Sequence, residues 1–233
     1  PLTKFLFYLP GCTAPAIILG LIGGYPTGAK NVKSLYEAKS ISEEQVNRIM
    51  CFNVGAGPAF IISVVGTILL KNKQAGIIIF ICQILFSFLM AIFLGIFARI
   101  SKKEFYEHPT DNIVKTNRGF ACALIESCQD AVNSTINMCS LVILFYAFIS
   151  IINSFNPEQF MSSVFPSHIS KLILPILLEV NSACTLISRE FFSPSLMAFA
   201  IGWGGICVHF QIVSVFNSQN NLRFIRFIFF RLI

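Results

Sequence analysis

Residues 23–31 read GGYPTGAKN and close an apolar stretch, residues 5–24, that glycine and proline interrupt repeatedly. Gly23 and Gly28 have the spacing of the two glycines in the phosphate-binding loop GxxxxGK[ST]. That loop needs a lysine and then a hydroxyl residue directly after its second glycine, whereas here the letters AKN follow. The segment therefore does not predict nucleotide hydrolysis. It predicts a helix that is broken inside an apolar environment.

The composition is that of an integral membrane protein. Of 233 residues, 55% are hydrophobic and 12% are charged, and the mean hydropathy is +0.74, whereas soluble domains carry about 25% charged residues. The 25 phenylalanines include clusters such as IFICQILFSFLMAIF. A single soluble domain of 233 residues could not bury all of these side chains in its core. Lysines are not interleaved with aromatic residues on one face, so the net charge of +6 indicates basic loops and not a nucleic-acid partner.

Hydropathy predicts several membrane-spanning segments. Crossing about 30 Å of hydrocarbon takes roughly 20 helical residues. Four runs are long enough, the last of them unusually polar: residues 51–70, 75–98, 132–154 and 193–216. Two further apolar stretches contain glycine, proline or polar residues, and we call them the first and second broken stretches: residues 5–24 and 166–188.

The two broken stretches begin a weak internal repeat. Each is followed by a glycine-containing span, a short polar connector (KNKQ, then NSQNN) and another apolar helix. If both are re-entrant hairpins, three spans separate them and the repeats are inverted; if both cross fully, four spans intervene and the repeats are parallel. Broken helices in inverted repeats are typical of secondary transporters. The predicted fold is therefore all-α and polytopic, with two broken-helix hairpins in an inverted repeat.

This pattern divides the chain into four regions. They are a first repeat with a hairpin and two spans (1–98), a basic connector (99–118), a long helix (119–155) and a truncated second repeat (156–233). The chain begins with Pro1 and stops inside an apolar run, so we expect it to be a piece of a longer protein. The hairpin topology collects nine basic residues on one side against four on the other, which predicts that the loops 25–48 and 99–118 are cytoplasmic.

Polar residues at membrane depth are costly and are candidates for function. The long helix carries a stripe with spacings of four, three, four and three residues, which falls on one face: Glu126, Asp130, Asn133, Asn137 and Ser140. The two acids could instead lie in water at the membrane interface. The two asparagines could line a polar cavity or form hydrogen bonds between helices. These alternatives stay open at the level of sequence.

Further candidates lie where the helices are predicted to break. Half-helix N-termini expose N–H groups that attract anions, and glycine lets the backbone approach a solute closely. A buried carboxylate at Glu179 would have a raised pKa and would suit a proton-coupled step. The remaining candidate binding residues are Tyr25, Pro26, Thr27, Gly28, Asn53, Gly55, Gly57, Pro58, Asn181, Ser182, His209 and Gln211. A single histidine in a membrane segment such as His209 is more often a packing or hydrogen-bonding residue than a ligand.

Two motifs carry a family resemblance: GYP-x-GAK at residues 24–30 and N-x-GAGPAF-x-I-x-x-VG at residues 53–66. With them the chain resembles the sporulation integral membrane proteins that carry the nucleoside-recognition (Gate) domain. The resemblance implies kinship with concentrative nucleoside transporters and a role in moving dipicolinic acid into the developing spore. The second broken stretch departs from the first, because it has Ser182 and Cys184 where the first has Gly28 and Lys30.

The leading functional hypothesis is a transporter for a small anionic or aromatic solute, dipicolinic acid above all, in the cell membrane or the membrane around the forespore. The alternatives are a nucleoside transporter and a non-transporting scaffold or sensor that binds a partner through residues 99–118. Enzymatic activity is not expected, because no HExxH or GxSxG motif is present. No cofactor or metal is indicated. The implied partners are the solute, the lipid bilayer and a coupling H⁺ or Na⁺. The sequence leaves open whether the protein forms a homo-oligomer.

Overall fold

The computed structural model describes residues 3–101, 119–155, 166–216 and 224–231, and in these ranges the regular structure is entirely helical. Two segments are π-helical, and we label them π1 and π2. In chain order the elements are π1 (Thr3–Phe7), α1 (Thr13–Gly23), α2 (Tyr25–Glu37), α3 (Glu43–Met50), π2 (Ala59–Leu69), α4 (Lys73–Ile100), α5 (Phe120–Ser154), α6 (Ser167–Leu178), α7 (Val180–Glu190), α8 (Pro194–Trp203), α9 (Gly205–Phe216) and α10 (Phe224–Arg231).

Three helical stretches are long and apolar enough to cross a membrane: Lys73–Ile100, Phe120–Ser154 and Pro194–Phe216. The first two contain the predicted spans 75–98 and 132–154. Their large apolar side chains point outward, for example Leu89 on α4 and Ile143 on α5, as expected where lipid is the solvent. The prediction of an all-α membrane protein is confirmed.

The predicted span 51–70 is wrong in its first third. Its helical part is π2, whereas residues 51–58 form no helix. Gly55 and Gly57 disfavour a helix, and Pro58 fits at a helix start because it has no N–H to pair. The buried backbone of Ala56 is satisfied from α4, where the Gln83 side chain accepts from Ala56 N at 3.2 Å and donates to Ala56 O at 2.9 Å.

The region predicted as the loop 25–48 is not a loop, because α2 and α3 occupy most of it. Ser42 and Gln45 form a reciprocal capping box at the start of α3, the pattern that fixes a helix N-terminus. Three polar side chains of α3 are buried: Gln45, Asn47 and Arg48. Arg48 donates to the backbone carbonyls of Phe7 and Tyr8 at the end of π1. Tertiary packing therefore buries polar side chains in a segment that its charged residues predicted to be a solvent-exposed loop.

The first broken stretch consists of α1 and α2, which pack against each other and are separated by Gly24. This glycine has φ +87°, a conformation that side-chain-bearing residues rarely adopt. A Cβ at Gly24 would lie 3.3 Å from the backbone N of Gly57. The break between α1 and α2 therefore touches the non-helical segment that separates α3 from π2.

The second broken stretch has the same arrangement. Helix α6 contains Pro175 and ends at Leu178, and α7 begins after Glu179. The predicted span 193–216 is itself two helices, α8 and α9, joined through Gly204 and Gly205 with φ +78° and +73°. A Cβ at Gly205 would lie 2.8 Å from Leu178 O, so these two breaks also touch.

The two halves of the chain also pack against each other. Helix α2 of the first half packs against α9 of the second, and α7 of the second half packs against π2 of the first. Each half thus contributes a broken stretch and a second interrupted helix, and the four breaks meet pairwise. The opposite orientation of the two halves in the membrane stays a prediction. Of the basic connector 99–118, residues 102–118 lie outside the described ranges.

Candidate functional site

A polar cavity of about 430 Å³ lies between α2, α5 and α9. It brings together four residues that the sequence predicts as binding residues: Pro26, Asp130, Asn137 and Gln211. They come from three helices that lie far apart in the chain. Its walls also contain Lys30, Lys33, Ser34, Glu37, Ser134, Met138, Leu141, Ser214 and Val215. A cavity of this size with convergent polar groups suits a small polar solute.

Lys30 carries positive charge into this cavity. Its Nζ donates to Ser134 Oγ at 2.6 Å and to the backbone carbonyl of Asp130 at 3.3 Å. Ser134 Oγ in turn donates to the same Asp130 carbonyl at 2.6 Å. The ammonium is therefore positioned by a hydroxyl and a carbonyl. It makes no ion pair with the Asp130 carboxylate, so both charges stay at the cavity wall.

The polar stripe of α5 divides between two environments. Its two acids and two asparagines are all exposed on the helix, but Asp130 and Asn137 line the cavity and Glu126 and Asn133 do not. Ser134 belongs to the cavity although the sequence did not single it out. The spacings of Asp130, Ser134 and Asn137 are four and three residues, which place the three on one face of a helix. This spacing is the feature of the sequence that could have identified Ser134 as a cavity residue.

The carboxylate of Glu179 is buried and closes the second break. It accepts two hydrogen bonds on each oxygen, from the backbone N and side chain of Asn181 at 2.9 and 2.7 Å and of Ser182 at 2.7 and 2.9 Å. The two backbone N–H groups among these donors are ones that the sequence predicted would attract an anionic solute. The chain therefore fills the N-terminus of α7 with its own carboxylate, as a helix N-cap does.

The corresponding terminus of α2 has no side-chain cap. Thr27 donates to Gly23 O at 3.1 Å, back across the break. Tyr25, the first residue of α2, donates its phenol hydrogen to the carbonyl of Ile201 in α8 at 2.7 Å. The first break is thus tied to the second half of the molecule.

Asn53 is fully buried where α1 and α2 meet the non-helical segment. Its Nδ2 donates to Ala16 O at 3.2 Å, while its Oδ1 is a buried acceptor with no partner among the described residues. A Cβ at Gly28 would collide with Asn53 O. Gly28 is therefore required by packing. Gly55 and Gly57 likewise lie against Gln83 and against the carbonyl of Ile22, and Pro58 caps π2.

His209 is 2% exposed and packs among aromatic rings. Its ring centre lies 4.6 Å from that of Trp203 and 5.4 Å from that of Phe227. Its Nδ1 lies 2.7 Å from Gly205 O, next to the second break. This environment favours the packing role among the two roles that the sequence left open. His209 does not line the polar cavity, although Gln211 of the same helix does.

A second, mainly apolar cavity of about 270 Å³ lies between α4, α8 and the non-helical segment 51–58. Gly55 is the lining residue that the sequence predicted, whereas Gln83, Trp203 and Arg231 are among those that it did not single out. The Arg231 guanidinium lies above the Tyr25 ring, 5.2 Å from its centre. The arginine falls in the terminal run FIRFIFFRLI, where hydropathy alone gives no partner for it.

Comparison with known proteins adds one relationship to this geometry. The chain is similar to the "Sporulation integral membrane protein YlbJ" of Bacillus subtilis (strain 168), with 20% identity over 260 residues that cover 100% of this chain and 64% of the relative. The chain thus spans less than two thirds of that relative's length. No protein-family model matches the chain, and no solved structure matches it. Its apolar helices and this similarity together support an integral membrane protein; the Gate domain and the kinship with nucleoside transporters stay predictions.

Proposed function

We propose that the chain is part of a membrane transporter for a small anionic or aromatic solute, with dipicolinic acid as the solute, acting in bacterial spore formation. The observation that carries the proposal is the polar cavity, which collects Lys30, Asn137 and Gln211 from three helices beside a helix break. Dipicolinate is a planar pyridine with two carboxylates. An ammonium group and amide N–H donors are suitable partners for such an anion.

The location of the cavity supports transport over a static role. Helix α2 forms one wall of the cavity and begins at Tyr25, directly after Gly24, which lies against Gly57 across the pair of breaks. Helices that end inside a membrane protein allow their halves to move separately while the backbone stays satisfied. The relative's sporulation name supports the place of action, either the cell membrane or the membrane surrounding the forespore.

The test is uptake of labelled dipicolinate, with labelled uridine in parallel, by vesicles that contain the full-length protein, with and without a proton gradient. We expect saturable uptake of dipicolinate. Uptake of uridine alone would replace the proposed solute with a nucleoside. If neither solute moves while a control transporter works in the same vesicles, the transport proposal is wrong and a scaffold or sensor role takes its place.

A further inference from the structure

The described walls of the polar cavity carry four ionisable side chains, and two of them neutralise each other. Lys33 Nζ lies 3.7 Å from Glu37 Oε1, one turn further along α2, so this pair adds no net charge. The other two have opposite charges and come from different helices: Lys30 of α2 and Asp130 of α5. Helix α9 contributes no ionisable residue to these walls, and α6, which also packs against α5, contributes no residue. The electrostatics of the described cavity therefore depend on Lys30 and Asp130.

Lys30 is the group that an anion in this cavity would bind. Its ammonium has three hydrogens and donates two of them, to Ser134 Oγ at 2.6 Å and to Asp130 O at 3.3 Å. The third has no acceptor among the described residues. The hydroxyls of the cavity do not serve an anion, because each donates its hydrogen to a carbonyl of its own helix: Ser34 to Lys30 O, Ser134 to Asp130 O and Ser214 to Gln211 O. An anionic solute thus binds beside Lys30.

The Asp130 carboxylate lines the same cavity, next to that position. Lys30 Nζ contacts the backbone carbonyl of Asp130 itself. Among the described residues the carboxylate has no hydrogen bond and no ion pair, and Lys30 is the unpaired positive charge in its cavity. An anion that pairs with Lys30 removes this compensation and places a second negative charge near Asp130. When two negative groups share a site, one of them tends to take up a proton.

We propose that Asp130 takes up a proton from solution when an anionic solute binds at Lys30, so that solute and proton occupy the cavity together. The proton neutralises the Asp130 carboxylate and leaves Lys30 to the solute. This coupling deepens the proposed function and rests on one part of it, the binding of an anion in the polar cavity. A sodium ion is the poorer partner, because the Lys30 ammonium repels a metal cation, whereas a protonated carboxyl needs no further ligands.

Asp130 suits this role better than the two other carboxylates that the sequence singles out. Glu126 does not line the cavity. Glu179 lines neither described wall of it and accepts four hydrogen bonds from Asn181 and Ser182, which stabilise its ionised form. The carboxylate that meets the solute is therefore that of Asp130.

Isothermal titration calorimetry of the detergent-purified full-length protein measures this proton. Dipicolinate is titrated at about pH 6.5, where free carboxylic acids are ionised, in amine buffers of different ionisation enthalpy. The slope of the observed enthalpy against the ionisation enthalpy of the buffer gives the number of protons taken up per bound solute. We expect about one proton and an affinity that does not depend on sodium. Binding without proton uptake, or binding that requires sodium, would overturn the proposal. This measurement needs no variant, so it holds even if substitutions disturb folding.

Two matched substitutions assign the proton to its residue. Asp130→Asn keeps the size of the side chain and removes its charge, so we expect dipicolinate to bind without proton uptake. Above neutral pH the variant should bind about tenfold more tightly than the wild type, because the repulsion between like charges is gone. A merely structural role of Asp130 would weaken binding instead. The control is Glu126→Gln, one turn earlier on the same helix and outside the cavity, which should take up the same number of protons as the wild type. Wild-type proton uptake in Asp130→Asn would overturn the proposal.

A second probe separates this inference from the proposed function. Isophthalate carries two carboxylates in the same arrangement as dipicolinate, on a benzene ring. Isophthalate that binds with proton uptake where dipicolinate does not bind would sink dipicolinate as the solute and support the coupling. Binding of either acid without a proton would sink the coupling and leave the function. If neither acid binds, both proposals are wrong.

Discussion

The phenol of Tyr25 donates a hydrogen bond to the backbone carbonyl of Ile201 over 2.7 Å, although 176 residues separate the two in the chain. Tyr25 is the first residue after the break in the first half, and Ile201 lies in the last turn of α8, before the break in the second. Carbonyls in the last turn of a helix lack an intrahelical donor. One side chain thus closes a helix end and joins the two halves.

Tyr25→Phe should lower stability, because it removes this donor and leaves a buried carbonyl unsatisfied. The expected loss is about 1–3 kcal/mol in the free energy of unfolding. Thermal unfolding of the purified protein in detergent measures it. Tyr146→Phe is the control, since the Tyr146 side chain is exposed on α5, and its midpoint should stay close to that of the wild type. Identical midpoints for both variants would show that the bond to Ile201 contributes nothing.

Gly205→Ala should also destabilise the protein, for two reasons. The residue has φ +73°, and its added Cβ would lie 2.8 Å from Leu178 O, where the second pair of breaks touches. Left-handed backbone alone costs a side-chain-bearing residue roughly 1–2 kcal/mol. Gly202→Ala provides the opposite case, because no atom lies within 4 Å of its added Cβ and alanine favours a helix interior. We expect thermal midpoints that fall for Gly205→Ala and are kept or raised for Gly202→Ala.

Glu179→Gln tests what the buried carboxylate does. All four of its hydrogen bonds come from donors of Asn181 and Ser182, and a glutamine amide would turn one acceptor into a donor. We expect a loss of about 1–3 kcal/mol in unfolding free energy together with reduced dipicolinate uptake. Glu190→Gln is the control at the exposed end of the same helix.

The pattern of uptake distinguishes two roles for Glu179. A structural cap predicts that the remaining uptake of Glu179→Gln still responds to a proton gradient. A proton carrier predicts a stable variant whose uptake no longer responds to the gradient. The second result would contradict the capping role as the main function of this carboxylate and would restore the proton-coupled hypothesis.

Asn137→Ala and Ser134→Ala should impair transport through the polar cavity. The first removes an amide from the wall, and the second removes the hydroxyl that holds Lys30 Nζ at 2.6 Å. A lost hydrogen bond of about 1.4 kcal/mol raises an apparent KM tenfold. Thr135→Ala is the matched control: Thr135 also donates to a carbonyl one turn back, that of Ala131 at 2.9 Å, but it does not line the cavity. Normal KM values in both cavity variants would contradict the assignment.

Local sequence determined much of the architecture. Hydropathy located the spans in α4 and α5, because the cost of placing polar groups in lipid acts on each segment separately. Glycine and proline located the break at Gly24, because backbone conformation depends on the residue itself. Hydropathy failed at α3, where hydrogen bonds to carbonyls about 40 residues earlier in the chain compensate for the burial of Arg48. It also failed at residues 51–58, which it assigned to a span although their glycines and proline disfavour a helix, and where the side chain of Gln83 pairs with the backbone of Ala56.

For this protein, the sequence by itself determined the membrane class, the long spans in α4 and α5, and the breaks within the first and second broken stretches. Only the tertiary structure decided which polar residues meet. It placed Asp130 and Asn137 in one cavity with Lys30 and Ser134, left Glu126 outside, and brought Arg231 to the carbonyl of Val54 from 177 residues away. The physical reason is that helix breaks arise within a few residues, whereas a binding cavity depends on how distant helices pack.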